Sequence, residues 1–388
     1  MDFTIPAELQ ALRASFADFL DREIRPIEES LNEEFWSDSP DRSRLEAAAK
    51  DVQQRSAAQG FFAAHMPEEV GGQGLSTLGM TLLVEDAARS GLRMGMLAVS
   101  PPNPSGPSTL LLALPTDVRD RYVPPIVAAE MSMCFALTEP EAGSDAQAIR
   151  TTAVKDGDGW RINGHKHYIT NGGRADVAVV FAMTDPQRRA AGGITAFLVP
   201  GDQIRRGPVQ WTMADTHPTE LFFEDAWVPD DHVIGEVGLG FVAAMDFLNA
   251  GRAFIGAQAL GLAEYSLAAA VDHATTRTAF GRPLSKFQAV SFPLADSKAE
   301  VEAMRWLVYH LAWSVDQGES PMMDASIVKY YATEKAYTIA DRALQTFGGM
   351  GLLKEGPVER VLRHLRMLRV VEGSSSIQQL VISRTMGL

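Results

Sequence analysis

The chain has 388 residues, of which 46% are hydrophobic and 22% are charged, the composition of a folded protein. Its net charge of −14 argues against nucleic acid as the main partner. The single cysteine, Cys134, excludes an intrachain disulfide framework and a cysteine-rich metal site. Neither about 18 consecutive apolar residues nor a basic-then-apolar leader is found, so we expect a cytoplasmic protein without integral membrane association.

Residues 1–120 are predicted to form an N-terminal helical domain. Apolar residues recur there at steps of three and four, which predicts a helix with one apolar face. The glycine cluster at 71–74 is weak evidence for a phosphate loop, and a plain connection between helices is preferred. The proline-rich stretch 100–104 interrupts any helix. The apolar face consists of Leu9, Leu12, Phe16 and Phe19.

Residues 121–235 are predicted to form a middle domain, a small antiparallel β-barrel or sandwich. The segment 156–159, Asp-Gly-Asp-Gly, lies between two strand-like runs and predicts a hairpin. More strand-like runs follow, separated by glycine, proline and aspartate, with no helical pattern between them. These runs are 177–183, 194–199 and 221–223.

Residues 236–388 are predicted to be helical, so the fold class is α+β with mostly α structure. Gly238 to Ala243 matches a dinucleotide glycine pattern by letter, but no βαβ unit surrounds it, and we expect a helix to begin there. A seam at three- and four-residue steps then predicts a long helix in a four-helix bundle. The seam is Leu294, Ser297, Val301, Met304, Val308, Leu311 and Val315. A final helix over 375–383 turns Ile377, Leu380 and Val381 to one side.

Two histidines raise the question of a metal site. His165 and His167 are two residues apart on a predicted strand, so both face the same side. Because the sequence offers no third ligand nearby, surface residues are the preferred interpretation, and no metal is predicted. Zinc-protease, Walker and serine-nucleophile motifs are absent from the sequence.

Three other segments are harder to explain by structure alone. Residues 134–145 are an apolar run that ends in a loop rich in small residues, through which backbone N–H groups could approach an anion or a ring edge. Residues 168–173 place Tyr168 and Thr170 on one face of a strand end. Glu372 is a carboxylate just ahead of a helix.

Together these segments resemble the signature motifs of the acyl-CoA dehydrogenase family. The first is similar to the family's Thr-Glu-Pro-x-Ala-Gly-Ser-Asp loop, and the second to its Trp-Ile-Thr-Asn-Gly strand, with tyrosine in place of tryptophan. Residues 277–288 and 345–351 resemble its Arg-x-x-Phe-Gly-x-x-Leu and Gln-x-x-Gly-Gly-x-Gly segments, and 372–374 its Glu-Gly-Thr/Ser. Five motifs occur in the family's order over about 240 residues.

The resemblance implies FAD as the cofactor, bound across a subunit boundary in a homodimer or homotetramer. One group of implied FAD contacts lies in the middle of the chain: Phe135, Leu137, Thr138, Gly143, Ser144, Tyr168, Ile169 and Thr170. A second group would reach a neighbouring subunit's FAD: Arg277, Phe280, Gln288, Gln345, Gly348 and Gly349. Ser374 and Ser376 are implied contacts near the C-terminus. Implied contacts with acyl-CoA are Ser144, Asn249, Arg252 and Gly373.

The resemblance also implies α,β-dehydrogenation of an acyl-CoA to the trans-2-enoyl-CoA. Glu372 would take the α-proton, flavin N5 would accept the β-hydride, and burial should raise the pKa of Glu372 toward neutrality. Another base position used in the family corresponds here to Gly251, which cannot act as a base. An electron-transferring flavoprotein would be the acceptor. The alternatives are an oxidase or monooxygenase on the same fold, or a non-catalytic FAD-binding assembly subunit.

Overall fold

The computed structural model describes residues 4–37, 40–100 and 106–388. It divides into two compact units. The helical unit contains residues up to 61, residues 75–99 and residues 252–388; the sheet unit contains residues 62–74 and 100–251. Most of the predicted proline-rich break at 100–104 lies outside the described residues. The predicted domain limits, 1–120, 121–235 and 236–388, stay predictions.

Helices occupy both ends of the chain, as predicted. Before the sheet they are α1 (Ala7–Phe19), α2 (Arg25–Ser30), α3 (Asn32–Trp36), α4 (Arg42–Ala58), α5 (Thr77–Arg89), α6 (Gly95–Val99) and α7 (Thr116–Val127). After it they are α8 (Gly240–Thr276), α9 (Gln288–Asp316), α10 (Met322–Phe347), α11 (Glu359–Leu368) and α12 (Ser375–Thr385). Helix α8 begins within the glycine pattern, which confirms the interpretation of that segment as a helix start.

The predicted seam of α9 is confirmed as the core of the helical unit. Every member except the half-buried Val315 is buried, and α9 packs against α5 and α10. The one polar member, Ser297, is accommodated because its Oγ donates to the Pro293 carbonyl at 2.7 Å and accepts from Arg342 Nη1 at 3.2 Å. Apolar burial at a regular helical period therefore forms this core.

Helix α12 buries a glutamine more completely than the apolar residues on its other side. Leu380 is 41% exposed, Ile377 and Val381 are only half-buried, and Gln378 is fully buried instead. The reason is hydrogen bonding, because the Gln378 amide donates to the carbonyl oxygens of Glu372 and Gly373 and so turns the helix toward that segment. The need of these two backbone carbonyls for a hydrogen-bond donor therefore decides which side of α12 is buried.

The sheet unit is built on an eight-stranded sheet in the order β6-β7-β3-β2-β4-β5-β8, with β1 paired to β4. The strands are β1 (Met133–Ala136), β2 (Thr152–Asp156), β3 (Gly159–Ile169), β4 (Val177–Met183), β5 (Ile194–Pro200), β6 (Arg205–Val209), β7 (Thr219–Pro229) and β8 (Val233–Ile234). A short hairpin in the helical unit adds β9 (Thr278–Ala279) and β10 (Arg282–Pro283).

The predicted strands are confirmed, and so is the β2–β3 hairpin, in which Asp156 pairs with Gly159. The sheet is mixed rather than wholly antiparallel, since β1 runs parallel to β4 in the register Met133 to Val177. Its inner face carries small and branched apolar residues that are almost completely buried. This core positions the loop that follows β1 and the end of β3, where two of the predicted motifs lie.

Helix α8 is long and apolar enough to cross a membrane by length and composition alone. In its most apolar 18-residue window, however, 67% of the residues are buried within the protein. Such burial is typical of a core helix, and the apolarity of α8 is explained by packing.

Candidate active site

The Glu372 carboxylate is the centre of the candidate site. It lies in the short segment between α11 and α12, with a left-handed backbone φ of +54°. Its Oε2 is buried and accepts no hydrogen bond from the residues that the structure describes. Burial raises the pKa of Glu372 to about 7, although Lys329 and Arg252 act in the opposite direction. A carboxyl with this pKa can take and release a proton near neutral pH.

Two buried cations on neighbouring helices lie close enough to influence this carboxyl. Lys329 of α10 is fully buried, and burial lowers the pKa of Lys329 to about 8 against the opposing charge of Glu372. Arg252 of α8 is 7% exposed, and its Nη1 donates to Ser326 Oγ at 3.3 Å. Burial lowers the pKa of Arg252, and Glu372 again opposes the change. The cations thus favour the ionised form of a carboxyl that burial alone would keep protonated.

The turn that carries Glu372 is held by direct hydrogen bonds. Lys329 Nζ donates to the Gly373 carbonyl at 2.8 Å. Gln378 Nε2 donates to the carbonyls of Glu372 at 3.3 Å and Gly373 at 2.9 Å. Gly373 has φ +88°, and a Cβ there would lie 2.6 Å from Gln378 Nε2, so a larger residue would disturb the turn.

Lys329 and Gln378 are site residues that the sequence analysis missed. A signal for Lys329 was present, since α10 has buried apolar residues at three- and four-residue steps and Lys329 falls within that face. The neighbouring buried positions are Ala325, Val328, Ala332 and Ala336. A lysine on a core-facing stripe needs a buried partner. For Gln378 no comparable signal exists, because a glutamine on a short terminal helix is usually exposed.

In the sheet unit, a buried ion pair fixes the predicted flavin loop. Lys166 is fully buried on β3, and its Nζ donates to the Leu137 carbonyl at 2.9 Å and to Glu139 Oε1 at 2.8 Å. Burial lowers the pKa of Lys166 to about 8. For Glu139 burial acts to raise the pKa, but Lys166 and the backbone N–H groups of Arg150 and Thr151 outweigh it and hold the pKa of Glu139 below its usual value.

The first two motifs meet where the loop after β1 passes the end of β3. The His167 N–H donates to the Thr138 carbonyl at 2.9 Å. Tyr168 is 63% exposed with φ +56°, while Thr138 and Thr170 are half-buried. Phe135, Leu137 and Ile169 are buried in the sheet unit, Gly143 and Ser144 are exposed, and Asn249 is half-buried.

A second group of predicted cofactor residues lies on the surface of the helical unit. Arg277, Phe280, Gln288, Gln345, Gly348 and Gly349 are all exposed, Phe280 at 95%. The Arg277 N–H donates to the His273 carbonyl at 2.8 Å, and the His273 ring stacks on Phe347 with centroids 4.4 Å apart. The β9–β10 hairpin and the turn after α10 therefore lie side by side. Ser374 is half-buried and Ser376 exposed beside Glu372.

Backbone strain marks the same segments. Nine non-glycine residues in the described part of the chain have positive φ, and three of them are predicted site residues: Tyr168, Phe280 and Glu372. Bulky side chains adopt this conformation at a cost of about 1–3 kcal/mol, and such residues cluster at functional sites. Three of the predicted motifs therefore each contain a site residue with a positive φ.

The exposed side chains of Tyr168 and Arg277 match the chemical groups of a flavin dinucleotide. An isoalloxazine ring needs a flat aromatic contact, and Tyr168 presents an exposed ring. A pyrophosphate needs a cation and open backbone, and Arg277 is exposed while a Cβ added at Gly348 or Gly349 would meet no atom within 4 Å.

Comparison with known proteins gives a consistent assignment. The three descriptions that match are the N-terminal, middle and C-terminal domains of acyl-CoA dehydrogenase, over residues 6–130, 134–226 and 238–387. A 3-(aryl)acrylate reductase of Clostridium sporogenes is 35% identical over 99% of both chains. An acyl-CoA dehydrogenase of Bacillus subtilis is 35% identical over 98% of both chains.

Similar solved structures support the same family assignment. A chain in the structure of the electron-transferring flavoprotein of Acidaminococcus fermentans has a TM-score of 0.89 at 34% identity, covering 100% of this chain and 99% of that one. The structure of PigA with FAD and proline has a TM-score of 0.90 at 26% identity, with full coverage of both chains. With the motifs, the fold and these similarities in agreement, the chain belongs to the acyl-CoA dehydrogenase family of FAD-dependent oxidoreductases.

Proposed function

We propose that this protein converts an acyl-CoA thioester to the trans-2-enoyl-CoA, with Glu372 as the base that removes the α-proton. The observation that carries the proposal is the buried Oε2 of Glu372, which accepts no hydrogen bond from the described residues and belongs to a carboxyl whose pKa is raised to about 7. Structural carboxylates in protein interiors are normally satisfied, so an unpartnered one is suited to receive a substrate proton.

The protein's own residues divide the work as follows. The α-hydrogen of a thioester is weakly acidic, so the base has to be fixed next to it and partly ionised at neutral pH. Gln378 and Lys329 fix the turn through the carbonyls of Glu372 and Gly373. Lys329 and Arg252 keep a fraction of the carboxyl ionised. The Glu372 N–H would donate to the thioester oxygen, where negative charge develops as the proton leaves.

FAD, when bound, supplies the acceptor for the β-hydrogen, which leaves with both electrons of its C–H bond. Tyr168 would cover one face of the ring, and the Thr138 and Thr170 hydroxyls would lie at its edge. Arg277 would contact the phosphates of the FAD bound by a neighbouring subunit. The proposal therefore includes a homodimer or homotetramer. The cytoplasmic location stays a prediction.

The test of the base is Glu372→Gln, which retains the size of the side chain and removes the proton acceptor. We expect a folded yellow protein whose dehydrogenation of acyl-CoA is lost, measured anaerobically as bleaching of the flavin across a panel of acyl-CoA chain lengths. Glu319→Gln, at an exposed position, is the control and should bleach like the wild type. Unchanged bleaching by the Glu372 variant would refute the assignment of the base.

The test of the cofactor contact is Arg277→Ala. We expect weaker retention of FAD during gel filtration, since a phosphate contact would be lost, together with a shift toward smaller assemblies in light scattering. Arg282→Ala, an exposed arginine in the same hairpin, is the matched control and should retain FAD. Full FAD occupancy in the Arg277 variant would contradict the contact between subunits.

The second candidate is an oxidase on the same fold. It is favoured by the similarity to the solved structure of the prolyl acyl carrier protein oxidase AnaB, which has a TM-score of 0.84 at 26% identity and covers 99% of this chain and 100% of that one. The similarity to an electron-transferring flavoprotein structure instead favours electron transfer to such a protein as acceptor. Stopped-flow mixing of the substrate-reduced enzyme with oxygen distinguishes them. Slow reoxidation is expected of the dehydrogenase, and rapid peroxide formation would favour the oxidase.

A further inference from the structure

Three side chains meet on one side of the sheet, where β3 and β7 run side by side. His165 and His167 come from β3, and Glu220 comes from β7. From the sequence alone, surface positions are the preferred interpretation of the two histidines, because no third ligand is near them in sequence. The fold supplies that third ligand from a strand more than 50 residues away.

The distances among the three groups suit metal ligands. His167 Nδ1 lies 3.0 Å and His165 Nε2 lies 3.8 Å from the same oxygen, Glu220 Oε1. One potential ligand atom from each residue lies within 4.8 Å of the other two. Zinc bonds of about 2.0–2.2 Å at tetrahedral angles place ligand atoms roughly 3.3–3.6 Å apart. The two separations to Glu220 Oε1, 3.0 and 3.8 Å, lie on either side of that range, so small side-chain movements would bring these atoms to ligand distances.

Hydrogen bonding does not account for the cluster. Both His165 Nε2 and His167 Nδ1 are buried, and neither makes a hydrogen bond to any residue in the described ranges. The approach of His167 Nδ1 to Glu220 at 3.0 Å therefore lacks the alignment of a hydrogen bond. The two buried nitrogens therefore need another partner, and a cation next to Glu220 Oε1 would supply one for both.

Neighbouring side chains orient both rings. Gln210 Nε2 lies 3.1 Å from His167 Nε2, and Gln210 Oε1 is buried without a partner among the described residues. A flip of the Gln210 amide, which exchanges its oxygen and nitrogen, places the oxygen next to His167 Nε2, where it accepts the ring proton. In that tautomer His167 Nδ1 is unprotonated and can bind a metal. His165 stacks on Phe222 with ring centroids 4.2 Å apart and an interplanar angle of 17°, which fixes its plane.

The surrounding charges permit a cation. Arg205 lies over Phe222, 4.1 Å from the ring centroid, but it pairs with Glu224 at 2.6 Å, so its positive charge is compensated. Lys166, between the two histidines in sequence, points to the other side of β3, where it pairs with Glu139. Glu220 therefore remains as the carboxylate that faces the cluster.

We propose that His165, His167 and Glu220 bind a divalent transition-metal ion, with zinc as the probe. Two imidazole nitrogens and one carboxylate oxygen form a three-ligand set that leaves a position for water. The His167 ring is in edge contact with Tyr168, with centroids 3.9 Å apart, so a bound ion would restrain the strand end that carries this residue. The proposal stands independently of the dehydrogenation chemistry.

The experiment is calorimetric titration of zinc into tag-free, FAD-loaded protein after dialysis against a chelator. We expect one equivalent bound per chain by the wild type. His165→Gln and Glu220→Gln should each abolish saturable binding, and Gln210→Leu should weaken it by about 10- to 100-fold, as removal of an outer-shell partner does. His310→Gln, an exposed histidine on α9, is the control and should bind as the wild type does.

Two results would overturn the proposal. One is the absence of saturable zinc binding by the wild type, in which case the cluster is only a packed histidine–glutamate pair. The other is binding that survives both ligand substitutions, which would place the ion elsewhere. Circular dichroism checks that each variant is folded. Because Glu220→Gln retains the shape of its side chain, it decides the question if the histidine variant does not fold.

Discussion

Replacing Lys329 by methionine removes the charge that tunes Glu372, together with the hydrogen bond to the Gly373 carbonyl. The side chain is fully buried, and with a pKa of about 8 it is mostly protonated at pH 7. Its positive charge favours the ionised carboxylate and so lowers the pKa of Glu372. Methionine fills similar space without charge, so the pKa of Glu372 should rise above its value of about 7. A nearby opposite charge typically changes a carboxyl pKa by about 1–3 units.

A rise of about one unit has a defined kinetic effect. With a pKa of about 7, half of the Glu372 carboxyl is ionised at pH 7. One unit higher, about a tenth is ionised, so kcat/KM at pH 7 should fall about fivefold and recover near pH 9. The assay is the pH profile of kcat/KM with the best acyl-CoA of the panel, whose acidic limb should move to higher pH in the variant.

The control is Lys335→Met on the same helix. This lysine pairs with Glu300 at 2.8 Å, and its side chain is 35% exposed. Its removal should leave the profile in place. The position of the acidic limb does not depend on how much of the variant is folded, so reduced stability cannot imitate the effect. An unmoved limb, or one displaced to lower pH, would refute the role of Lys329.

Two stability predictions follow from the same geometry. Gly373→Ala should lower thermal stability by about 1–3 kcal/mol, because φ is +88° and the new Cβ would lie 2.6 Å from an amide nitrogen; Gly387→Ala, with φ +83° but open space, should lower it less. Lys166→Met should cost about 3–5 kcal/mol in urea unfolding, because it leaves Glu139 buried and unpaired. The exposed Lys155→Met should cost less than about 1 kcal/mol, and similar losses in the two lysine variants would contradict the argument.

Periodicity predicted the architecture because burial repeats regularly along each element. The α9 seam and the β4 strand were both evident from apolar spacing, and both are buried as expected. The parallel pairing of β1 with β4 was not predicted, since no local pattern in a four-residue strand reveals its distant partner. For α12 the apolar spacing gave no sign that Gln378 would be the buried residue, because hydrogen bonds to the Glu372 turn decide the orientation of the helix.

The candidate site was predicted through its motifs and not through its supporting residues. Glu372 and Tyr168 lie in segments whose residue order resembles known family motifs. Lys329, Lys166 and Gln378 act from within helices and strands, where a polar residue becomes notable only once its burial is known. The partner of a buried charge lies far away in sequence, as Lys329 and Glu372 do. Sequence spacing therefore cannot identify such a pair.

The left-handed backbone of Glu372 is a conformational cost at the position that carries the reactive carboxylate. Glycine would adopt φ +54° without steric cost, so Glu372→Gly would remove the backbone strain but leave the buried Lys329 and Arg252 without their counter-charge. These two effects on stability oppose each other, so heat resistance alone does not report whether the reactive carboxylate is retained. Screens of this scaffold should therefore couple thermal challenge to turnover.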